Sequence, residues 1–302
     1  MPRLSEFVYF VSEKSEVKNL ELIEKDIILH KILRDIYLSN TGRSYLFKGG
    51  SCLVKCYFGY YRFSVDLDFT WRNQEDWRNL GKRRLRNEFL MRISNFGFIL
   101  EKARGQFNLE FKPKLEEKRY LEFGGGGRMA TFMLWRDSDL IKIQVNYVER
   151  ILFKPKTMIV KTLLDGTELR SDEEAYFKDF LEFYSPFQLN VYDEREILCE
   201  KVRAILTRRA QKIRDLYDLF ILQKHGFYAG DLKNEILEKI RASLYYKKYR
   251  DALEKNKERL ELTGEILEDP FERNLFVEKP GKEFEKFLNN FLKTLKEIAS
   301  EC

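Results

Sequence analysis

Two aspartates separated by one residue, Asp66 and Asp68, stand in the alternating run Val65-Asp66-Leu67-Asp68-Phe69-Thr70-Trp71. On a strand, side chains two apart point to one face, so both carboxylates project together while Val65, Leu67 and Phe69 pack behind. Asp is disfavoured within strands, and like charges side by side are costly unless something positive sits between them. A divalent cation does that best. Upstream, Gly49-Gly50-Ser51 follows the apolar run Tyr45-Leu46-Phe47 and precedes a short helix-like stretch, Cys52-Leu53-Val54-Lys55-Cys56. Free amides at the start of a helix suit a phosphate. Two acids on a rigid strand opposite such a turn make a magnesium–nucleotide site, which is the chemistry of nucleotidyl transfer. The plainer alternative is two aspartates on the wet face of a half-buried strand, with no ligand.

Further along, residues 194–210 fall on a helical wheel with Ile197, Leu198, Val202, Ile205 and Leu206 spanning one half, and Lys201 lies inside that apolar arc. A lysine there either snorkels to the edge or is a partly buried ammonium held for a triphosphate, neutralising the leaving pyrophosphate. On the following helix, 212–225, the stripe is Ile213, Leu216, Tyr217, Leu219 and Phe220. Asp215 points away from the stripe and reads as solvent-facing, a favourable place for an acid in a first helical turn. Arg214, near the stripe's edge, could pair with an acid or hold a phosphate. Arg203, Arg208 and Arg209 read as facing RNA or water.

These motifs resemble the AbiEii/AbiGii-type nucleotidyltransferase toxins, a branch of the polymerase-beta-like nucleotidyltransferase superfamily. The residues that carry the resemblance are Phe47-Lys48-Gly49-Gly50-Ser51, then Arg62-Phe63-Ser64-Val65-Asp66-Leu67-Asp68-Phe69. Far downstream, Glu200-Lys201-Val202-Arg203-Ala204 and Arg214-Asp215-Leu216-Tyr217-Asp218-Leu219 match as well, and so does Glu24-Lys25-Asp26. The similarity spans about residues 24 to 222. It implies Asp66, Asp68, Lys201 and Asp215 as catalytic residues, with Asp66 and Asp68 holding Mg²⁺ (or Mn²⁺). It implies nucleotide contacts from Lys48, Gly49, Gly50, Ser51, Arg62, Ser64 and Arg214. One departure stands out. Many nucleotidyltransferases of this fold carry a third carboxylate on the strand beside the Asp-x-Asp strand, whereas Leu140–Tyr147 offers Lys142, Gln144 and Asn146 on its polar face. Either metal binding is weaker or an acid from elsewhere completes the site, and the resemblance suggests Asp215.

The elements that must position these groups follow from periodicity. Leu22, Ile23, Ile27, Ile32, Leu33 and Ile36 recur at helical spacing over about 16–38. Residues 75–95 read as a helix with a basic face of Arg78, Lys82, Arg83, Arg84, Arg86 and Arg92, suited to salt-sensitive contacts with an RNA backbone. Strand-like segments follow near 98–112, 119–123, 128–135 and 139–147. The glycines 124–127 join two of them as a hairpin turn, because no helix and lysine motif follows as a phosphate loop would need. From about 194 the chain reads as helical to its end, and charged runs such as 245–262 read as solvated helix faces. The expected fold class is α+β: a polymerase-beta-like α/β core with a mixed sheet, then a helical C-terminal region. The expected domains are 1–190, with an N-terminal helix, and 191–302, contributing Lys201 and Asp215 to the site.

At 302 residues the chain can bury one large core or two smaller ones, and 44% apolar with 34% charged residues suits a globular protein. With 25 Phe and 16 Tyr, the core should be rich in aromatics. A net charge of +6 favours an anionic partner without demanding one. Two histidines, His30 and His225, and four cysteines without paired spacing leave zinc and Ser-His-Asp chemistry poorly supplied. Cys52, Cys56, Cys199 and Cys302 are expected as reduced core or neutral surface residues. No apolar stretch approaches membrane-spanning length and Met1-Pro-Arg does not begin a secretion signal, so the expectation is a cytoplasmic protein away from membranes. The function expected is metal-dependent transfer of a nucleotide from a nucleoside triphosphate to an RNA end, the tRNA acceptor foremost. The resemblance adds a toxin of a type IV-like toxin–antitoxin pair with a cognate antitoxin protein. The alternatives are nucleotidylation of a protein hydroxyl and a nucleotide-binding regulatory module without transfer activity.

Overall fold

Alternation from Val65 onward produces strand β2 (Asp66–Trp71), in which Leu67, Phe69 and Trp71 are buried while Asp66 and Asp68 stay partly open. The computed structural model describes residues 2–262 and 269–302. Its other strands are β1 (Tyr45–Lys48), β3 (Leu121–Gly124), β4 (Met129–Arg136), β5 (Asp139–Asn146), β6 (Lys156–Val160) and β7 (Phe187–Val191). Among the described residues they form a seven-stranded sheet in the order β3-β4-β5-β2-β1-β7-β6. It is mixed, as expected: β2 pairs antiparallel with β1 and parallel with β5. The glycines 124–127 close the antiparallel β3–β4 hairpin, with Gly124 opposite Met129. Helices accompany the sheet and dominate the second half of the chain, so the fold is α+β.

The described residues divide into two compact units. One is drawn from Met1–Glu149 and Lys156–Val191, the other from Arg150–Pro155 and Tyr192–Cys302. The first holds the whole sheet with helices α1 (Leu4–Ser15), α2 (Leu20–Leu38), α3 (Gly49–Cys52), α4 (Lys82–Ala103), α5 (Ser171–Tyr176) and α6 (Lys178–Phe183). Helix α2 starts where the Asn19 side chain accepts from the Leu22 amide. Helix α4 lies on the apolar side of the sheet, with the Phe96 ring edge-on to Phe69 at 5.9 Å and to Tyr45 at 4.9 Å, and tilted against Phe132 at 5.1 Å. That side is opposite the one bearing Asp66 and Asp68, because neighbours along a strand alternate.

The second unit is built from α7 (Glu194–Thr207), α8 (Ile213–Lys224), α9 (Lys233–Ser243), α10 (Lys247–Arg259), α11 (Pro270–Arg273) and α12 (Lys282–Ser300). Its core joins Val202, Leu206, Leu216, Ile236, Leu253 and Leu295, all at most 1% exposed. An aromatic cluster of Tyr217, Phe220, Phe284 and Phe287 completes it. The helical reading of 263–268 lies outside the described residues.

Two local expectations are corrected, and the short helix takes a particular form. Residues 98–103 continue helix α4 and do not start a strand, and only a single bridge, Glu110 to Trp135, is strand-like before 112. The apolar positions Ile93, Phe96 and Leu100 share one helical face, which outweighs the β-branched and aromatic content of the segment. The basic helix begins at Lys82, after a 3-10 turn at Gln74–Trp77, because Asn79 adopts a left-handed φ of 61°. The stretch after the glycines becomes a π-helix, Leu53–Phe58, ended by Gly59 at φ 79°.

Candidate active site

The two carboxylates owe their setting to strand register. On β2, Asp68 faces Lys48 across the antiparallel pair with β1 and Gln144 across the parallel pair with β5, while Asp66 faces Lys142. Directly paired residues share a face, so Lys48, Asp68 and Gln144 form one polar row. The amide of Gln144 donates onward to the Thr131 hydroxyl at 3.2 Å. A neutral amide therefore fills the place a third strand carboxylate would take. Lys48 is buried beside Asp68.

Gly49 closes over this row. Its φ of +75° is a left-handed conformation, and a Cβ built there would meet Asp68 Oδ2 at 2.6 Å. Only glycine lets the main chain approach the carboxylate so closely. Gly50 continues α3. The buried Ser51 hydroxyl donates to the Asp66 carbonyl and lies 2.6 Å from the Ser64 hydroxyl. Ser51 and Ser64 thus fasten the glycine turn to the start of β2. Arg62 is 2% exposed and donates to the Phe63 carbonyl at 2.7 Å.

Behind the turn lies a buried polar network that inspection of the sequence missed as a unit. The Lys55 ammonium, on the π-helix, meets Asp26 of α2 at 2.7 Å, and the Tyr60 and Tyr184 hydroxyls donate to the same carboxylate at 3.0 and 2.7 Å. Burial, then the Asp26 charge, pushes both tyrosines far above the ordinary phenol range. The network pins the helix that follows the glycines to α2. Its signal was present in principle: Asp26 lies among Ile23, Ile27 and Ile28, and Lys55 among Leu53, Val54 and Cys56, so each charge needed a buried partner. His30 is fully buried and donates through Nε2 to the Ser185 carbonyl at 3.1 Å. Burial and the Lys55 charge hold it neutral, well below the usual histidine range.

In the second unit the Lys201 ammonium lies 2.8 Å from Asp215 and 2.6 Å from Asp218, and its side chain is 9% exposed. It does not snorkel. Asp215 is no solvent-facing acid either: it is shielded, and Arg208 approaches it at 3.3 Å. Burial works against its ionisation, but the Lys201 ammonium and the Arg208 guanidinium outweigh that and hold it far below the usual carboxylate range. The wheel misplaced Asp215 because periodicity describes one helix, whereas α7 covers this flank of α8. Asp218, which belongs to the matching motif but was given no role, is completely buried. A buried acid on one helix and a lysine in the apolar arc of the next are each other's explanation. Arg208 and Arg209 are exposed, as read, whereas Arg203 is half-buried and comes within 3.9 Å of Glu200. Arg214 meets Glu272 at 3.4 Å, and its amide donates to the same carboxylate.

A second buried pair stabilises α7. Lys239 of α9 pairs with Glu196, both completely buried, and Glu196 also accepts the Leu152 and Phe153 amides at 2.8 Å each. Cys52, Cys56 and Cys199 are buried free thiols, and Cys302 is half-buried. Of the cations expected on the basic helix, Arg78 lies before α4 and pairs with Glu75, whereas Arg92 on α4 pairs with Asp76 and lies over the Trp71 ring at 4.2 Å. Lys82, Arg83, Arg84 and Arg86 are exposed, and the first three help line a shallow hollow of about 480 Å³ with Gly81 and Asn87.

Among the described residues no group of three His, Cys, Asp or Glu side chains gathers as a metal cage. Asp66 and Asp68 nevertheless suit Mg²⁺, which commonly takes one or two carboxylates and completes its shell with phosphate oxygens and water. No described helix is long and apolar enough to cross a membrane. Compared with known families, residues 31–300 match the model described as nucleotidyl transferase AbiEii toxin, type IV toxin–antitoxin system. No curated protein matches the chain. The match covers nearly the whole chain, which therefore belongs to the AbiEii nucleotidyl transferase toxin family and is an enzyme that transfers phosphorus-containing groups.

Proposed function

We propose that this AbiEii family member transfers a nucleotide from a nucleoside triphosphate to an RNA end, with the tRNA acceptor end as the first candidate. The observation that carries the reading is the closeness of Gly49 to Asp68, which brings bare main chain and a paired acid face together as a nucleotide–metal site requires. The RNA hydroxyl oxygen attacks the α-phosphorus, the bond to the α,β-bridging oxygen breaks, pyrophosphate leaves, and the hydroxyl proton passes to solvent. Mg²⁺ (or Mn²⁺) held by Asp66 and Asp68 would supply the charge stabilisation at the attacking and leaving oxygens. Gly49 and Gly50 admit the phosphates, and Ser51 and Ser64 hold β2 in place beneath them. Lys48 and Arg62 add buried positive charge near the acid pair. Lys201 is assigned to the leaving pyrophosphate, with Asp215 orienting its ammonium, and Arg214 to phosphate contact. Lys82, Arg83, Arg84 and Arg86 are assigned to the RNA backbone. They sit on the helix behind the sheet, so they would touch RNA remote from its reacting end. Family membership adds a cognate antitoxin as partner.

A second acceptor for the same transfer is a protein hydroxyl, which the same acid pair would serve. A labelling reaction separates them. Purified protein, Mg²⁺, total RNA and each α-labelled nucleoside triphosphate in turn are resolved on a denaturing gel, with Asp66→Asn alongside. Label in a tRNA-sized band that the variant loses supports transfer to RNA and names the base. Label in protein alone reassigns the acceptor to a protein hydroxyl. Bound nucleotide with no label and no pyrophosphate overturns both.

A further inference from the structure

The charged stretch at 245–262 is not uniform. From Asp251 onward acids and bases are interspersed, and Lys257 pairs with Glu254 at 3.0 Å. The ten residues before it, 241–250, read Arg-Ala-Ser-Leu-Tyr-Tyr-Lys-Lys-Tyr-Arg and hold four cations, three tyrosines and no carboxylate. A solvated helix face needs charge of both signs for solubility and gains nothing from exposed aromatic rings.

The fold displays this stretch. Tyr245 lies between α9 and α10 and is 74% exposed, the most exposed of the large apolar and aromatic side chains among the described residues. Tyr246 lies edge-on to it at 5.4 Å and to Tyr249 at 5.8 Å, and the Lys248 ammonium covers the Tyr249 ring at 4.8 Å. Lys247 and Lys248 are exposed. The turn is built, because the Arg250 guanidinium donates to the Leu244 carbonyl at 2.6 Å and the Tyr245 carbonyl at 3.1 Å. That contact presents the Tyr245 ring from a fixed main chain. Helix α10 is anchored in turn, with the Asn256 amide donating to the carbonyls of Ile205, Leu206 and Arg208 at the end of α7. Asn256 is seven residues beyond Tyr249, about 10 Å along a helix. The aromatic turn therefore rides on the element that closes the helix carrying Lys201.

We propose that Tyr245, Tyr246 and Tyr249 with Lys247 and Lys248 form a binding platform for unpaired nucleotides of an RNA strand. The bases stack on the tyrosine rings and the lysines meet the phosphates between them, the combination that single-strand binders use. The platform rests on the reading of RNA as the acceptor, and it deepens that reading by naming where a single-stranded segment is held.

The test is fluorescence anisotropy of a labelled single-stranded RNA oligonucleotide with the full chain. Tyr245→Ala should weaken binding by about fivefold or more, and Tyr245→Phe should leave it unchanged, because the ring and not the hydroxyl stacks. Lys247→Ala with Lys248→Ala should lower the slope of log affinity against log salt by about 1.4, from about 0.7 per phosphate contact on a single strand. Unchanged affinity in Tyr245→Ala overturns the proposal, as does equal loss in Tyr245→Phe or a duplex that competes as well as the single strand. Loss of antitoxin capture by Tyr245→Ala at unchanged RNA affinity overturns it in favour of a protein interface. RNA bound normally by a wild-type chain that labels nothing would leave the platform standing and remove the transfer assignment, so the two fail separately.

Discussion

On β2 two carboxylates stand side by side on an open strand face, whereas between α7 and α8 two carboxylates close on one buried ammonium. The first arrangement concentrates like charge where the main chain of Gly49 comes within reach, which is the setting the proposed nucleotide site requires. The second is largely satisfied internally. Lys201 has two acids within 2.8 Å, and any phosphate that reaches it competes with them. The contrast sets an acid pair proposed for the chemistry alone against a cluster that also ties two helices together.

The largest effect expected is on activity. Asp66→Asn or Asp68→Asn should reduce transfer by about a hundredfold or more while shifting unfolding free energy by no more than about 0.5 kcal/mol, as for other substitutions outside the core. Label incorporation and urea unfolding on the same preparation check both halves, and a large stability loss would make the acid pair structural. Asp218→Ala should show the opposite balance at the fold. It leaves the buried Lys201 with one acid in place of two, for a destabilisation of about 3 kcal/mol read from urea unfolding. A variant as stable as the wild type would show that Asp215 alone satisfies the ammonium.

Gly49→Ala sharpens the boundary between the two. A methyl group 2.6 Å from Asp68 Oδ2, on a residue at φ +75°, should cost about 1–2 kcal/mol and displace the carboxylate. Transfer should then fall by far more than the stability change explains. The smallest effect concerns pH. Asp215 is held below the 3.8 of an ordinary aspartate, by charges that overcome its burial. A carboxyl whose folded pKa is depressed adds stability that is complete above the unfolded value and is lost as pH falls through the folded one. Wild type and Asp215→Asn should therefore differ most near neutrality and converge as pH drops below 3.8. A gap that instead widens in acid would contradict the ion pair.

Much of the first unit was legible because its signals are local. The alternation around Asp66 and Asp68, the glycines beside them and the apolar period of α2 each mark an element within a few residues. The helix at 98–103 was misread because aromatic and β-branched residues suit both structures, and only its packing on the sheet selects between them. The long stretch between Tyr147 and Asp193 carried no usable signal, although it supplies two strands, since strands of five residues leave little periodicity. In the second unit, Lys201 was conspicuous in its apolar arc, but its partners lie fourteen and seventeen residues away on another helix.

The sequence by itself determined the acid pair, the glycine turn, the α+β class and the family, because each rests on residue identity at short spacing. Only the tertiary structure decided that Gln144 stands beside Asp68, that Asp26 answers Lys55, and that Asp215 and Asp218 share Lys201. A buried charge must find its opposite somewhere in the fold, but composition and periodicity cannot say where. Strand register and helix packing bring together residues far apart in the chain, and that choice is made by the whole core at once.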